Sequence, residues 1–323
     1  MSLDGKVVFE TGAARGIGAE VARRTAARGA RVALAGLEPD RLAALARELG
    51  GGGHAWYACD VTDQAALEEA MAGTVAALGG LDVVVANAGI ASYGTVAISP
   101  PEALARVVDV NLGGAIRTAR AAFPHLRARR GYLLFVSSAA ALGALPGMAV
   151  YAATKIAVQH LAGALRLEVA HEGVDVGVAY PGWIETDLMN DVVRDIPGFD
   201  ALRRRLPPPF STVTSLGACA DALVAAIERR RRNVYVPWAL GLVAPFRTLL
   251  WSRLGDLLVR RDAREAVPRM ERDVAALGRP FGARSVETSR RTAAAAGSEG
   301  YRRAGPPPPA REWGSVPRPG GDR

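Results

Sequence analysis

The first 36 residues read as a strand, a glycine-rich turn, a helix and a second strand. An apolar run at residues 6–9 precedes the turn, and residues 30–35 form a second apolar run after an alanine-rich segment. This order predicts a βαβ unit, in which free N–H groups and the helix dipole attract a phosphate group. The three glycines of the turn, Gly12, Gly16 and Gly18, are spaced as Gly-x-x-x-Gly-x-Gly. Because such a turn can also be plain turn geometry, the strand before it and the helix after it are what favour a dinucleotide site.

Strand-like and helix-like segments alternate as far as residue 237. Further strand-like runs lie at residues 54–59, 81–86, 133–136, 174–179 and 233–237. Helix-prone segments separate them, at residues 39–49, 65–78, 101–130, 151–172 and 215–229. The alternation predicts a Rossmann-type, doubly wound α/β fold with a seven-stranded parallel sheet and helices on both faces. In such folds, ligands bind at the carboxyl ends of the strands.

A second pattern joins Ser138 to the helix that begins near Tyr151. Tyr151 and Lys155 are four residues apart, so they share one face of that helix. We expect the cation to lower the pKa of the phenol from its usual value of ~10, which makes Tyr151 a candidate proton donor and acceptor. Ser138 lies at the end of a strand, where its hydroxyl can bond the same substrate oxygen. Alone, however, a Tyr-x-x-x-Lys pair more often reflects the packing of an amphipathic helix.

Polar residues also follow three other strands, at Asp60, Asn87 and the segment 181–186. Asp60 can accept a hydrogen bond from an adenine amino group, although an Asp at this place is also an ordinary helix cap. Asn111 lies inside the predicted helix 101–130, where its propensity is unfavourable. It is therefore either a surface residue or one retained for a polar task in the core.

Together these motifs resemble the short-chain dehydrogenase/reductase family in its simple, non-extended form, over about residues 3–237. The resemblance implies an NAD(P)-dependent oxidoreductase that transfers a hydride between a nicotinamide cofactor and a secondary alcohol or ketone. The motifs that carry it occur in the order and with the spacing typical of the family: Thr11-Gly12-x-x-x-Gly16-Ile17-Gly18, Asp60-Val61, Asn87-Ala88-Gly89, Asn111, Ser138, Tyr151-x-x-x-Lys155 and Pro181-Gly182-x-x-x-Thr186.

The resemblance also implies roles for four catalytic residues. Tyr151 is the expected general acid and base, and Lys155 is expected to lower its pKa and to hold the nicotinamide ribose. Ser138 is expected to orient the substrate oxygen, and Asn111 to support a water-mediated proton path. No metal site is expected. The residues expected to bind the cofactor are Gly12, Arg15, Gly16, Ile17, Gly18, Asp60, Val61, Asn87, Ala88, Gly89, Tyr151, Lys155, Pro181, Gly182, Ile184 and Thr186.

Two positions depart from the family pattern. Gly36 ends the second strand where an acid usually binds the ribose 2′-hydroxyl. The absence of an acid at this position, with Arg15 nearby, favours NADP(H) weakly over NAD(H). This preference does not hold if Glu38 replaces the acid or if Arg15 is a solvated surface residue. Glu10 stands where an apolar residue is usual, on a strand expected to be central. Since a buried unpaired carboxylate is costly, we expect Glu10 to be neutral, paired or close to solvent, and it can weaken cofactor binding.

The remaining chain suggests three parts: a catalytic domain at residues 1–238, a helical extension at 239–282 and a disordered Arg/Pro/Gly-rich tail at 283–323. Residues 187–206 are in the position of a substrate-covering segment, and residues 238–251 are apolar but too short to span a bilayer. We interpret 238–251 as a pocket wall or a subunit interface in preference to a membrane-surface segment. The candidate substrate contacts, for which plain helix packing is the alternative, are Trp183, Leu188, Met189 and Phe199.

Composition limits the function classes further. The net charge is +8, of which the eight arginines and four acids of residues 283–323 supply +4. We expect no nucleic-acid partner, because this segment has few aromatic residues and no known binding module.

Two distant cysteines and no visible leader indicate a cytoplasmic protein, and the family resemblance implies a homodimer or homotetramer. The substrate is expected to be a small, lipophilic alcohol or carbonyl compound; a non-catalytic dinucleotide-binding regulator and a membrane- or nucleic-acid-associated scaffold are the alternatives.

Overall fold

The computed structural model describes residues 1–51 and 53–282, except for the side chains at 254, 256 and 258. The predicted disordered tail at 283–323 lies outside the described residues. Nine strands occur in the described chain: β1 Val7–Thr11, β2 Arg31–Gly36, β3 Ala55–Ala58, β4 Val83–Ala86, β5 Tyr132–Val136, β6 Asp175–Pro181, β7 Trp183–Ile184, β8 Val213–Thr214 and β9 Asn233–Val236.

Seven of these strands form one parallel sheet in the order β3-β2-β1-β4-β5-β6-β9. The chain moves outward from β1 to β3, returns to β4 and then moves outward on the other side. The fold is therefore the predicted Rossmann-type doubly wound sheet, with its switch point between β1 and β4, where such folds bind ligands. Strands β7 and β8 form a separate parallel pair, which the sequence analysis did not predict.

Helices cover both faces of the sheet. Those of the described chain are α1 Gly16–Ala26, α2 Pro39–Glu48, α3 Gln64–Leu78, α4 Pro101–Val108, α5 Gly114–Arg129, α6 Ala149–Glu168, α7 Asp187–Asp195, α8 Pro197–Arg205, α9 Leu216–Glu228, α10 Leu240–Val243, α11 Arg247–Leu250 and α12 Arg253–Leu277. The helix α12 lies within the predicted helical extension at residues 239–282.

The sheet separates two hydrophobic cores. Successive side chains of a strand point to opposite faces, so Val8 packs in one core while Phe9 packs in the other. Leu133 and Leu134 of β5 divide in the same way. Because both faces are covered, β5 is apolar and buried along its whole length, as parallel strands usually are.

The predicted single helix at residues 101–130 is interrupted. A π-helical turn, Asp109–Gly113, lies between α4 and α5 and contains Asn111. A π-turn holds one extra residue per turn and often occurs at functional sites. The interruption therefore explains how an Asn is accommodated at this unfavourable helical position.

The C-terminal helix α12 packs against α8 and α7, the two helices formed within residues 187–206. Met270 and Val274 of α12 share a small hydrophobic cluster with Tyr93, Ile196 and Phe199. The described part of the extension therefore closes over the carboxyl edge of the sheet.

Candidate active site

A cavity of about 530 Å³ lies along the carboxyl ends of the sheet strands. Residues that follow β1, β3, β4 and β5 line it, together with the end of β6 and helices α6, α7, α8 and α12. All of the sequence-predicted catalytic and cofactor residues line this cavity except Gly18 and Asn111. Those two lie directly behind it, where each holds a lining segment in place.

The glycine turn is built by close backbone contact. Gly12 has a φ of +67° and Gly16 a φ of +58°, a region that favours glycine. A Cβ atom at Gly12 would lie 2.9 Å from the Cα atom of Ala88, and one at Gly18 would collide with the carbonyl oxygen of Gly12. The turn thus brings free backbone N–H groups and the start of α1 to the cavity, which fits a bound pyrophosphate.

Thr11 and Asn87 connect the glycine turn to the end of β4. The Thr11 hydroxyl accepts hydrogen bonds from the backbone N–H groups of Asn87 and Ala88, each at 3.1 Å. The Asn87 side-chain amide donates to the carbonyl oxygens of Thr11 at 3.0 Å and Gly12 at 3.2 Å. Thr11 was part of the sequence motif but not among the predicted site residues, and its hydroxyl fixes the two loops at the switch point.

Arg15 and Glu38 form an ion pair at the adenosine end of the cavity, with Arg15 Nε 3.2 Å from Glu38 Oε2. Both side chains line the cavity beside Gly36. Glu38 also faces Arg41 at 3.5 Å. The alternatives considered for the 2′-position of the ribose, an arginine and an acid, are therefore present together and in contact.

Asp60 accepts hydrogen bonds at Oδ1 from the backbone N–H and the hydroxyl of Thr62, at 2.9 and 2.8 Å. The helix cap considered as its alternative role belongs to Asp63 instead, whose side chain accepts from the N–H groups of Ala65 and Ala66 at the start of α3. Asp60 also lines the cavity.

Ser138 and Tyr151 both line the cavity, and the Ser138 hydroxyl is close enough to Tyr151 to influence the pKa of its phenol. Ser138 follows β5, and its hydroxyl accepts from the N–H of Ala140 at 3.1 Å. Lys155 Nζ lies 5.6 Å from the centroid of the Tyr151 ring and donates to the carbonyl oxygen of Val136 at 2.9 Å. The three side chains are thus brought together by the end of one strand and one face of α6.

The expected lowering of the Tyr151 pKa is wrong for the structure as it stands. Burial raises the pKa of Tyr151, because the phenolate loses its water, and the hydrogen bond from Ser138 offsets only part of this effect. Burial also lowers the pKa of Lys155 to about 8. Tyr151 is therefore protonated at neutral pH.

Asn111 is 2% exposed and holds the loop after β4. Its side-chain oxygen accepts from the N–H of Ile90 at 2.8 Å. Its amide donates to the carbonyl oxygen of Ile90 at 3.0 Å and to the Thr154 hydroxyl at 3.1 Å. Of the two sequence alternatives, the buried polar role is the correct one. A Cβ atom at Gly89 would lie 3.3 Å from both Asn111 Oδ1 and Lys155 Nζ, so a side chain at this position would crowd both groups.

Thr186 connects the nicotinamide end of the cavity with α7. Its hydroxyl donates to the carbonyl oxygen of Ile184 at 3.2 Å and accepts from the N–H of Met189 at 3.4 Å, which caps α7. Pro181, Gly182 and Ile184 precede it along the same wall. A cofactor held by this segment would therefore be coupled directly to the helices that cover the substrate.

The substrate end of the cavity is mostly apolar. Trp183, Leu188, Met189 and Phe199, the candidate substrate contacts, all line it. Sequence reasoning missed a second group, which comes from distant parts of the chain and carries no motif: Tyr93, Leu145, Met148, Met270 and Phe281. Only the apolar spacing of the last helix could have indicated Met270.

Tyr93 is the polar exception in this wall. It is 4% exposed, and its hydroxyl has no hydrogen-bond partner among the described residues. Its backbone is fixed, because its N–H donates to the carbonyl oxygen of Pro280 at 2.7 Å and its carbonyl oxygen accepts from the Ser99 hydroxyl at 3.2 Å. Burial raises the pKa of Tyr93, so the hydroxyl remains protonated.

Glu10 is fully buried on β1, and neither of its carboxyl oxygens has a hydrogen-bond partner within the described chain. Its neighbours in the sheet are Leu34 and Val85. Burial raises the pKa of Glu10 well above its usual value. Of the three expected states, the neutral acid is the one that the structure supports.

Two features are absent from residues 1–51 and 53–282. No group of three or more His, Cys, Asp or Glu side chains there is arranged to hold a metal ion. Nor does that part of the chain contain a helix long and apolar enough to cross a membrane.

The Rossmann sheet carries the glycine turn at its switch point, and the Ser138, Tyr151 and Lys155 side chains lie in the same cavity, after β5 and on α6. The sequence model described as short chain dehydrogenase matches residues 6–197. The chain therefore belongs to the short-chain dehydrogenase/reductase family and is an NAD(P)-dependent enzyme.

Known relatives support this assignment. The chain is 35% identical to D-threitol dehydrogenase of Mycolicibacterium smegmatis over 64% of its own length and 80% of that protein's. It is 37% identical to glycine betaine reductase of Emericella nidulans over 58% of its length, but spans only 15% of that much longer protein. A short chain dehydrogenase from Mycobacterium paratuberculosis, solved with NAD bound, superposes with a TM-score of 0.64 at 28% identity, over 73% of this chain and 97% of the other.

Proposed function

We propose that this enzyme interconverts a secondary alcohol and a ketone on a small lipophilic substrate, with Tyr151 as the general acid and base. The observation that carries the proposal is that Ser138, Tyr151 and Lys155 meet in one cavity that also contains the glycine turn. A regulator that only binds a dinucleotide would not need these three side chains to meet.

The chain's own residues perform the proton chemistry. A bound nicotinamide supplies or takes the hydride at the substrate carbon. Ser138 and Tyr151 both bond the substrate oxygen, and Tyr151 donates its proton to that oxygen during reduction. Lys155 holds the nicotinamide ribose, and Asn111 positions the loop after β4 and connects to a water path.

For the cofactor, the proposal is NADP(H) with a weak preference over NAD(H). Arg15 lines the cavity near the end of β2, where Gly36 leaves out the usual acid. Its ion pair with Glu38 keeps the preference small, because the carboxylate must move away before Arg15 can meet a 2′-phosphate. The remaining predicted cofactor residues, from the glycine turn to Thr186, are assigned to the pyrophosphate, adenine and nicotinamide parts.

The substrate class follows from the wall of the cavity. Trp183 and Phe199 pack edge to face with ring centroids 5.7 Å apart, and Met270 lies in the same cluster. Such a wall favours an apolar body over a polyol. The Tyr93 hydroxyl, which has no hydrogen-bond partner among the described residues, would match one polar group on that body.

The assembly proposed is a cytoplasmic homodimer or homotetramer that contacts no nucleic acid. Val108, Ile116 and Leu167, on the helical segment α4–α5 and on α6, are 43%, 46% and 79% exposed. A second copy packed on these helices would cover them. The division into a catalytic domain at 1–238 and an extension at 239–282 is proposed on composition.

The deciding experiment is Tyr151→Phe, assayed with NADPH and NADH on a panel of ketones. We expect turnover to fall by about three orders of magnitude, since the general acid is lost, while cofactor affinity stays within a factor of about three. Wild-type protein that binds cofactor but turns over no ketone or alcohol would support the regulator instead. Retained turnover in Tyr151→Phe would contradict the mechanism.

A further inference from the structure

Residues 238–257 place an unusual amount of apolar surface in contact with solvent. Of the fourteen exposed large hydrophobic side chains of the described chain, six fall in this short stretch, and they are between 45% and 74% exposed. Single exposed hydrophobic residues are normal, whereas a concentration of them marks an interaction surface. We name these six the apolar surface: Trp238, Leu242, Phe246, Leu249, Trp251 and Leu257.

The spacing of these side chains puts most of them on one face. Residues 240–250 form consecutive helical turns, namely α10, the 3₁₀ turn Ala244–Phe246 and α11. Trp238, Leu242, Phe246 and Leu249 recur every three or four residues, which is the repeat of a helix face. A helical segment whose outward face is apolar needs a second apolar environment outside the fold.

The inward face of the same turns borders the active-site cavity. Leu240 is 1% exposed and packs with Leu142. Leu240, Leu250 and Val259 line the cavity. One layer of helix therefore separates the site where a lipophilic substrate would bind from the apolar surface.

Positive charge accompanies the apolar surface. Residues 238–261 contain four arginines and one acid, Asp256. Arg253, Arg260 and Arg261 are exposed, and the Arg247 guanidinium lies 5.6 Å from the centre of the Trp251 ring. Tryptophan, phenylalanine and leucine on one face, with arginines beside them, are typical of segments that lie on anionic lipid surfaces.

A second copy of the chain fits this surface less well. A two-fold dimer would bring each surface against itself, so the arginines of the two copies would face one another with one acid per copy to offset them. An anionic bilayer supplies both the apolar environment and the opposite charge. No described helix is able to cross a membrane, so the contact would be with the bilayer surface.

We propose that Trp238, Leu242, Phe246, Leu249, Trp251 and Leu257 dock the enzyme on the surface of an anionic lipid bilayer. The docked face is the outer side of the cavity wall, so a lipophilic substrate is taken up from the bilayer. The uptake of substrate rests on the function proposed above; the docking itself does not.

The test uses the full chain and sedimentation with vesicles of phosphatidylcholine, with or without about one third phosphatidylglycerol. We expect the protein to sediment with the anionic vesicles and to be released as salt rises. The double variant Leu242→Glu/Phe246→Glu should lower the bound fraction at least about tenfold, because two apolar side chains that would insert into the bilayer become charged. Neither residue lines the cavity, so cofactor affinity should be unchanged. An unchanged cofactor affinity also shows that the variant is folded.

A matched control is Val96→Glu, which introduces a carboxylate at another exposed aliphatic residue, 56% exposed and outside the apolar surface. We expect it to bind vesicles as the wild type does. Residues 283–323 are present in every variant, so binding through their arginines would survive the double substitution and would overturn the proposal. Failure of the wild type to bind, with a dimer that dissociates in the double variant, would assign the surface to a second copy. Vesicle binding requires no turnover, so it can fail or succeed independently of the proposed reaction.

Discussion

The two ends of the cavity are built in different ways. The cofactor end consists of small residues and backbone contacts at consecutive strand ends, such as Gly12 against Ala88 and Thr11 against Asn87. The substrate end consists of large side chains from segments far apart in sequence, such as Tyr93 and Met270. An end formed by backbone contacts tolerates few substitutions. An end formed by large side chains can change its substrate specificity without a change in the residues that bind the cofactor.

Ion pairs connect the parts of the cover over the substrate end to one another. Arg203, 7% exposed, contacts Asp200 at 2.7 Å within α8. Arg279, after α12, contacts Asp195 of α7 at 2.7 Å. These pairs hold α7, α8 and the C-terminal segment by side chains, so this end can adjust to different substrates with little effect on the sheet.

The strongest test of the comparison is Gly18→Ala. The new Cβ would collide with the carbonyl oxygen of Gly12 and would lie 2.8 Å from Asn87 Nδ2. We expect a loss of about 1–3 kcal/mol in unfolding free energy and at least a tenfold loss of cofactor affinity, measured by denaturant unfolding and nicotinamide fluorescence. Gly163→Ala is the control, because no atom lies within 4 Å of a Cβ atom at that position in α6. Equal behaviour of the two variants would refute the backbone-built cofactor end.

Glu10 is a buried carboxyl without a partner in the described chain, on the strand that leads into the glycine turn, so Glu10→Val should stabilise the protein. Removing a buried carboxyl that has no partner is expected to gain about 1–3 kcal/mol at pH 7, and valine has a similar volume and suits a strand. Because the pKa of Glu10 is raised on folding, wild-type stability falls as pH rises above the unfolded-state value of 4.5.

The gain from Glu10→Val should therefore be smaller at pH 5 than at pH 7. Urea unfolding of the two proteins at both pH values measures the difference. Equal gains at the two pH values would mean that folding does not change the protonation of Glu10. A destabilised variant would mean that the carboxyl has a partner after all.

The Arg15–Glu38 pair predicts a smaller, selective effect. Glu38→Gln should raise the ratio of NADPH to NADH affinity about threefold to tenfold, because it removes a carboxylate facing the 2′-position, and Arg15→Gln should lower the ratio by a similar factor. Arg47→Gln on α2 removes a positive charge, as Arg15→Gln does, but Arg47 does not line the cavity. We expect this variant to leave the ratio unchanged. Competitive titration with both cofactors provides the measurement. If Glu38→Gln favours NADH, the assignment of the 2′-position is wrong.

The same contrast explains what the sequence could predict. The strands, the glycine turn and the Tyr151–Lys155 spacing are local patterns, so the sheet was predicted correctly and the motif residues do meet at one cavity. The π-turn at Asn111 and the contribution of Met270 depend on packing between distant segments, which no local pattern reports. The direction of the Tyr151 pKa was mispredicted because the spacing reveals the neighbouring cation but not the burial of the phenol.

The finest test compares two buried tyrosines. Tyr132 donates its hydroxyl to the carbonyl oxygen of Arg231 at 2.7 Å, whereas the Tyr93 hydroxyl has no partner in the described chain. Tyr132→Phe should therefore lower the unfolding free energy by about 1 kcal/mol, while Tyr93→Phe should change it by less than about 0.5 kcal/mol. If Tyr93 binds a polar group of the substrate, Tyr93→Phe should instead raise KM severalfold for substrates with a second hydroxyl or keto group. Cofactor affinity should not change. An unchanged KM for such substrates would assign Tyr93 to packing, and the substrate end would then select by shape alone.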